Sequence, residues 1–443
     1  MNKKKSIGIN ILISFLIIIP ATFSWSDSLN EILRLTYTSN KQLVLTRARL
    51  ASQSDAVRIA GSNLGINVSA AFNGSRDWDL KLGSQSDGFS SSLIGSYTIS
   101  DGNISKNKIL LEKFVLSQAN HQLNELEQKV LLETINSYLN VLRDQKFVDL
   151  SEGNVAVLER QFQEIKDRFS LGEVTRTDVA QAESALSAAR ANLTSKLGSL
   201  AITSEIFLSQ VGIRPGNLKP VIPTFNLSKN IELAKKRALI QHPKVLNAKA
   251  QEKLASIAIE IAKGAKKPLL SFKSSLTNGY SQTSGNYNSA SIKLEGSIPI
   301  FNSSKIDNKV IQAENNLKAE KANTSLIKRT IVQEITIAWS NLEVAKAVIE
   351  ARKRQVEASI IAYDGVVVEE KLGTRTTLNV INAEQNLLDA RTQLASAERD
   401  HLSAMFAVLA ATGDLNIKYL GISAPKKMKV IFKSEKGKLN PFH

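Results

Sequence analysis

The chain has 443 residues, 22% of them charged and 6% aromatic, with 9 prolines, no cysteine and a formal net charge of +16. Lacking cysteine, it has neither a disulfide framework nor a lipid-modified cysteine to hold or anchor it. The prolines are bunched, with none between Pro20 and Pro215 or between Pro299 and Pro425; such gaps, with so few aromatics, argue for very long helices over ordinary compact globules.

At the N-terminus, Lys3, Lys4 and Lys5 precede the apolar run Ile11 to Ile19, and Ser24 and Ser26 occupy the small-residue positions before Asp27. This is the pattern of a secretory signal peptide over 1–26. The run is shorter than the ~20 residues of a spanning helix, and no later stretch is long and apolar enough to serve as one. Any membrane attachment must therefore come from strands. Much of the basic excess lies in these three lysines and in a C-terminal group, Lys426, Lys427, Lys429, Lys433, Lys436 and Lys438. An exported chain without interleaved aromatics in that tail is not expected to bind nucleic acid.

Residues 27–62 read as helix. Asn67 to Trp78 then alternates, with Val68, Ala70 and Phe72 on one face and Ser69, Ala71 and Asn73 on the other. A polar turn, Lys81 to Ser91, leads to a second alternating segment through Leu93, Gly95, Tyr97 and Ile99, so the pair predicts a β-hairpin. From 104 to 171 no proline occurs and apolar residues recur at helical spacing, as in Leu123, Leu126 and Val130. As one helix this stretch would extend roughly 100 Å. Gly172 is placed to end it, and Thr175 with Asp178 predicts a capping box for a returning helix over about 173–211.

The whole series is then repeated at an offset of 201: Gly95-Ser96 as Gly296-Ser297, Asn107-Lys108 as Asn308-Lys309, Leu171-Gly172 as Leu372-Gly373, and Ala182-Glu183 as Ala383-Glu384. The second copy predicts a helix over 230–266, a hairpin opened by Pro268 with a turn around 278–289, a long helix over 305–372 and a return over about 374–412. In its second strand Ile292, Leu294, Gly296, Ile298 and Ile300 oppose Lys293, Glu295 and Ser297. Such a strand has water on one side and something apolar on the other. Trp78, Tyr97, Tyr280 and Phe301 lie near strand ends, where an interfacial aromatic belt would stand.

The domain plan is thus a first repeat over 27–211, a Pro/Gly-rich linker over 212–229, a second repeat over 230–412 and a loosely packed basic extension over 413–443. The fold class is mainly α with a small β part. Four strands per chain cannot close a barrel, and open edges in lipid leave backbone groups unpaired at several kcal/mol each, so a spanning form needs further copies of the chain.

The chain resembles the TolC-like outer membrane factor family, the exit ducts of Gram-negative efflux pumps and type I secretion systems. The likeness is strongest in Gly373-Thr374-Arg375-Thr376, Asn379-Val380 and Ala383-Glu384, and in the matching stretch from Gly172 to Glu183. It implies a homotrimer sharing one twelve-stranded barrel in outer membrane lipid, continued by a helical tunnel through the periplasm. A periplasmic adaptor and an inner-membrane ABC or proton-driven transporter would supply the energy. It further implies that the tips at Gly172 and Gly373 form the entrance, shut by a link from Thr177 and Asp178 to Arg375. Relatives carry two aspartates at the constriction; here Asn379 and Asn382 stand there, with Glu370 at a position often aromatic. The neutral pair implies weak block by multivalent cations, with Glu370 as a source of some negative charge.

No enzyme chemistry is expected. His121, His242, His401 and His443 are scattered, no phosphate-binding glycine loop follows a strand, and no cofactor or metal is implied. A periplasmic coiled-coil adaptor or structural scaffold is the alternative reading; only the duplicated strand hairpins argue against it.

Overall fold

In a computed structural model, the described residues are 28–79, 83–223, 225, 227–228, 230–282, 285–301 and 304–422. The expected signal peptide and the lysine-rich tail lie outside them. The elements run α1 (Leu29–Ser39), α2 (Lys41–Ser62), β1 (Asn67–Asp79), β2 (Ser84–Asp101), α3 (Ile104–Ser170), α4 (Arg176–Val211), α5 (Ile231–Gln241), α6 (Pro243–Gly264), β3 (Leu269–Ser281), β4 (Gly285–Ser297), α7 (Lys305–Lys371) and α8 (Thr377–Thr412).

The long helices α3 and α7 are 67 residues each and the returns α4 and α8 are 36 each, as the proline-free stretches predict. The repeat offset is 201 across these helices but 202 before the hairpins, since α5 begins at 231 and α1 at 29. One residue is therefore lost in the second hairpin, between the start of β3 and the start of β4.

The short helices differ from expectation, because each predicted single helix is broken in two. Asn40 leaves helical geometry and its side chain accepts from the amides of Gln42 (3.0 Å) and Leu43 (3.3 Å), capping α2. In the second copy Pro243, which has no amide to continue a helix, becomes the first residue of α6, and His242 caps it by accepting from Lys244 N at 3.2 Å. The first break is clasped by Arg47, which lies 4.3 Å over the Tyr37 ring, donates to the Tyr37 carbonyl at 2.7 Å and pairs with Glu127 at 3.0 Å.

The strands form one antiparallel sheet in the order β1-β2-β3-β4. β2 and β4 begin earlier than expected: residues read as turn, such as Asp87 and Phe89, pair across to Arg76 and Gly74. β4 also ends at Ser297, so Ile298, Ile300 and Phe301 lie beyond it. Register places Val68, Phe72 and Trp78 of β1, Phe89, Leu93 and Tyr97 of β2, Phe272, Leu276 and Tyr280 of β3, and Ile292 and Leu294 of β4 on one face. The other face is mostly Ser, Thr, Asn, Gly, Lys and Glu, with Asp77 and Asp101 and with Ala71, Ile94, Leu269 and Tyr287 as its apolar or aromatic members.

The principal core lies midway along the helices, where Leu33, Leu131, Ile135, Phe207, Phe406 and Leu415 are fully or nearly fully buried. The linker contributes to it: Leu218 is buried, Lys219 O accepts from the Tyr138 hydroxyl at 2.7 Å, and the Phe225 ring lies 5.0 Å from that of Phe406. Residues 413–422 correct the expectation of a loosely packed extension, for Leu415, Ile417 and Ile422 are buried in the same core. Gly413 makes this turn possible. Its φ is +81°, and a Cβ there would stand 3.1 Å from the Cα of His242.

Candidate functional site at the helical tips

Both long helices end in the same way. Gly172 (φ +78°) donates to Phe169 O at 3.0 Å and Glu173 N to Arg168 O at 3.0 Å; Gly373 (φ +76°) donates to Glu370 O at 2.8 Å and Thr374 N to Glu369 O at 3.0 Å. These left-handed closures satisfy the last carbonyls and turn each chain sharply into its returning helix. The returns are capped in parallel as well. Asp178 Oδ2 accepts from the amide and hydroxyl of Thr175 at 2.8 and 2.7 Å, and Asn379 Oδ1 accepts from those of Thr376 at 3.1 and 2.7 Å.

Within one chain Asp178 and Arg375, expected at the gate, are engaged with other partners. Asp178 is committed to Thr175, Arg375 pairs with Glu369 at 2.9 Å, and among the described residues no ion pair joins Asp178 to Arg375. Thr177 is exposed at the first tip. The hydrogen bonds from Thr175 hold the Asp178 carboxyl below its ordinary pKa, with the charge of Arg168 adding to the effect. Of the constriction residues, Asn382 is exposed and Asn379 half-buried with its oxygen occupied by the cap.

Within one chain the two hairpins are linked by Arg168, absent from the sequence reading. Its Nη1 lies 2.9 Å from Glu370 Oε1 and its Nε 3.4 Å from Glu173 Oε2. Hydrogen bonding to Glu370 raises the Arg168 pKa further. Glu370, expected to lend charge to the constriction, is 15% exposed and neutralised by this partner. The repeat does carry a difference in charge between the tips, though not the pair itself. At the offset of 201, Arg168 corresponds to Glu369, so the two tips carry opposite charges at equivalent positions.

About two turns into α8 lies a second link. Glu384 is buried and accepts from Asn154 Nδ2 of α3 at 3.3 Å, and its charge also acts on the Tyr363 hydroxyl of α7. Burial raises the Tyr363 pKa, and the neighbouring Glu384 charge adds to the rise. Ile381 packs alongside, against Leu158, Leu186 and Ala189 of the first hairpin. The equivalent of Glu384 in the first copy, Glu183, is exposed. The two hairpins are thus fastened at two levels by charged or buried polar groups, an arrangement suited to separating as units.

A sheet with one apolar face, mounted on helices about 100 Å long, with polar fastenings at their far ends, defines the class of membrane-spanning export ducts. The chain belongs to the outer membrane efflux protein family, whose model matches residues 32–208 and 235–414. It is similar to the outer membrane efflux protein BepC of Brucella suis, with 29% identity over 417 residues covering 93% of this chain and 91% of the relative. The outer membrane protein TolC of Escherichia coli is 24% identical over 423 residues, covering 89% and 84%. In fold it matches the CmeC outer membrane channel of Campylobacter jejuni with a TM-score of 0.77, 16% identity and coverage of 91% and 89%.

The chain is therefore an outer membrane protein that forms an export duct for efflux or type I secretion. Family membership removes the adaptor or scaffold alternative.

Proposed function

We propose that three copies close one barrel and one helical tunnel, and that the fastenings at Arg168–Glu370 and Asn154–Glu384–Tyr363 hold its periplasmic entrance shut. The observation carrying this reading is the sheet: β1 and β4 are edge strands, and one face presents Phe72, Leu276 and Ile292 at 73%, 59% and 78% exposure. Thirteen residues at a tilt of about 40° rise roughly 33 Å, enough for an apolar band of about 25 Å. Each copy adds four strands. Two copies give an eight-stranded barrel whose interior side chains fill, whereas three give twelve and a lumen of roughly 24 Å between backbones.

In this reading 27–211 and 230–412 are two structural repeats joined by 212–229, so that six hairpins ring the tunnel. No step needs catalysis: an inner-membrane ABC or proton-driven transporter supplies energy, and a periplasmic adaptor bridges it to the tips. The experiment is the subunit mass of detergent-purified mature protein, before and after heating. A heat-dissociable trimer is expected; a detergent-free monomer would refute the assembly.

A further inference from the structure

Within that trimeric reading, the geometry points to an anion-selective zone in the barrel lumen, built by Lys273 and Lys293. On the polar face of the sheet, Asn67 pairs with Ser96, Ser96 with Lys273 and Lys273 with Lys293, forming one continuous row. Two lysines directly opposite each other on antiparallel strands repel, and such a pair is unfavourable for folding alone. One row nearer the helices, Glu295 meets Lys273 at 2.7 Å and neutralises it. Among the described residues no carboxylate forms an ion pair with Lys293, so each chain retains one uncompensated cation at this level.

Glu295 also feels the charge of Lys293, so one carboxylate serves two lysines and a single positive charge per chain is left over. Rows on both sides hold Ser69, Ile94, Ser275 and Ser291, then Thr98 and Ser271; beyond these, Asp101, in register with Leu269 at the helix end of the sheet, is engaged by the amide of Ser105 at 2.7 Å, and Asp77 lies near the opposite end of the strands. With a backbone-to-axis radius of roughly 12 Å for twelve strands, extended lysines bring three charges to within about one Debye length, ~8 Å, of the axis. At the tips Asn379 and Asn382 supply no opposing acidic ring. The ligand class is accordingly small inorganic anions and the anionic groups of passing cargo, attracted by a focused positive potential.

The test is the chloride-to-potassium permeability ratio of the full-length trimer in a planar bilayer, at about 0.1 M salt where screening is weak. It uses an R168Q/E370Q background, which unfastens the tips without changing net charge. Lys293→Gln should lower the ratio and Lys293→Glu should lower it further, by roughly threefold or more; Glu295→Gln, which frees Lys273, should raise it. Conducting trimers whose ratio ignores all three substitutions would overturn the inference alone. A non-conducting monomer would overturn the assembly and the inference together.

Discussion

At the scale of single residues, the tip depends on one arginine and one glutamate from separate hairpins. Arg168 is 35% and Glu370 15% exposed, so their pair is partly shielded from water, and a link of this kind contributes about 1 kcal/mol, roughly fivefold in an opening equilibrium for each chain. Arg168→Gln or Glu370→Gln should each increase entry of a large antibiotic that the closed duct excludes. The exchanged pair, R168E/E370R, should return entry toward the original level. If the exchange leaks as much as the single variants, the link is not what holds the tips.

His242 gives a second prediction. Burial, assisted by the charge of Lys244, lowers its pKa from 6.5 to about 4, while a hydrogen bond to the backbone carbonyl of Ala410 and the charge of Glu334 act the other way. The native imidazole therefore stays neutral where the unfolded one takes up a proton. The resulting stability is fully present above pH 6.5 and is lost as pH falls toward 4. His242→Asn keeps an N-cap but removes the titration. Melting temperatures measured from pH 7 to pH 4 should fall less steeply in this variant than in the original; parallel curves would contradict the assignment.

At the scale of elements, the long helices were legible because proline and glycine punctuate them and nothing else competes: α3 and α7 end within a residue or two of expectation. The short helices were less so. Proline at the start of α6 and asparagine before α2 are ordinary break signals, but helical periodicity continues through both; in the first copy the two halves serve different clusters, Leu29, Ile32 and Leu33 the central core and Leu43 and Leu50 a second one. Strand ends were misplaced for a related reason. Ser-, Gly- and Asp-rich segments read as turn until a partner strand exists to pair with them. The Arg168–Glu370 and Glu384–Asn154 links join residues 202 and 230 positions apart, which no local pattern reveals.

Glu384 tests the second fastening. Glu384→Leu leaves the buried amide of Asn154 without its acceptor, at a cost of about 1–3 kcal/mol for a buried group left unsatisfied, and removes the charge beside the half-buried Tyr363 hydroxyl. Glu384→Gln retains an acceptor and should cost less. Hydrogen exchange in α3 and α8 near the tip should accelerate strongly in the leucine variant and slightly in the glutamine variant. Equal exchange in all three proteins would mean the cluster fills space without fastening the hairpins.

For the whole molecule, the two faces of the sheet must meet opposite solvents, and adjacent residues of one strand test that claim. Leu276 lies on the apolar face between Leu93 and Ala290, near the middle of the sheet; Ser275 faces the other way and meets the Ser291 hydroxyl at 2.8 Å. Arginine on a lipid-facing strand costs about 2–4 kcal/mol at the bilayer midplane, and a trimer incurs that cost three times. At the Ser275 position the guanidinium meets lumen water, and the loss is one part-buried hydrogen bond, about 1 kcal/mol. Leu276→Arg should therefore remove the heat-modifiable trimer from outer membrane fractions. Ser275→Arg should leave the trimer in place and narrow the lumen, reducing single-channel conductance. If the two variants assembled equally well, the leucine face would not be meeting lipid, and the argument from open strand edges to a shared barrel would lose its footing.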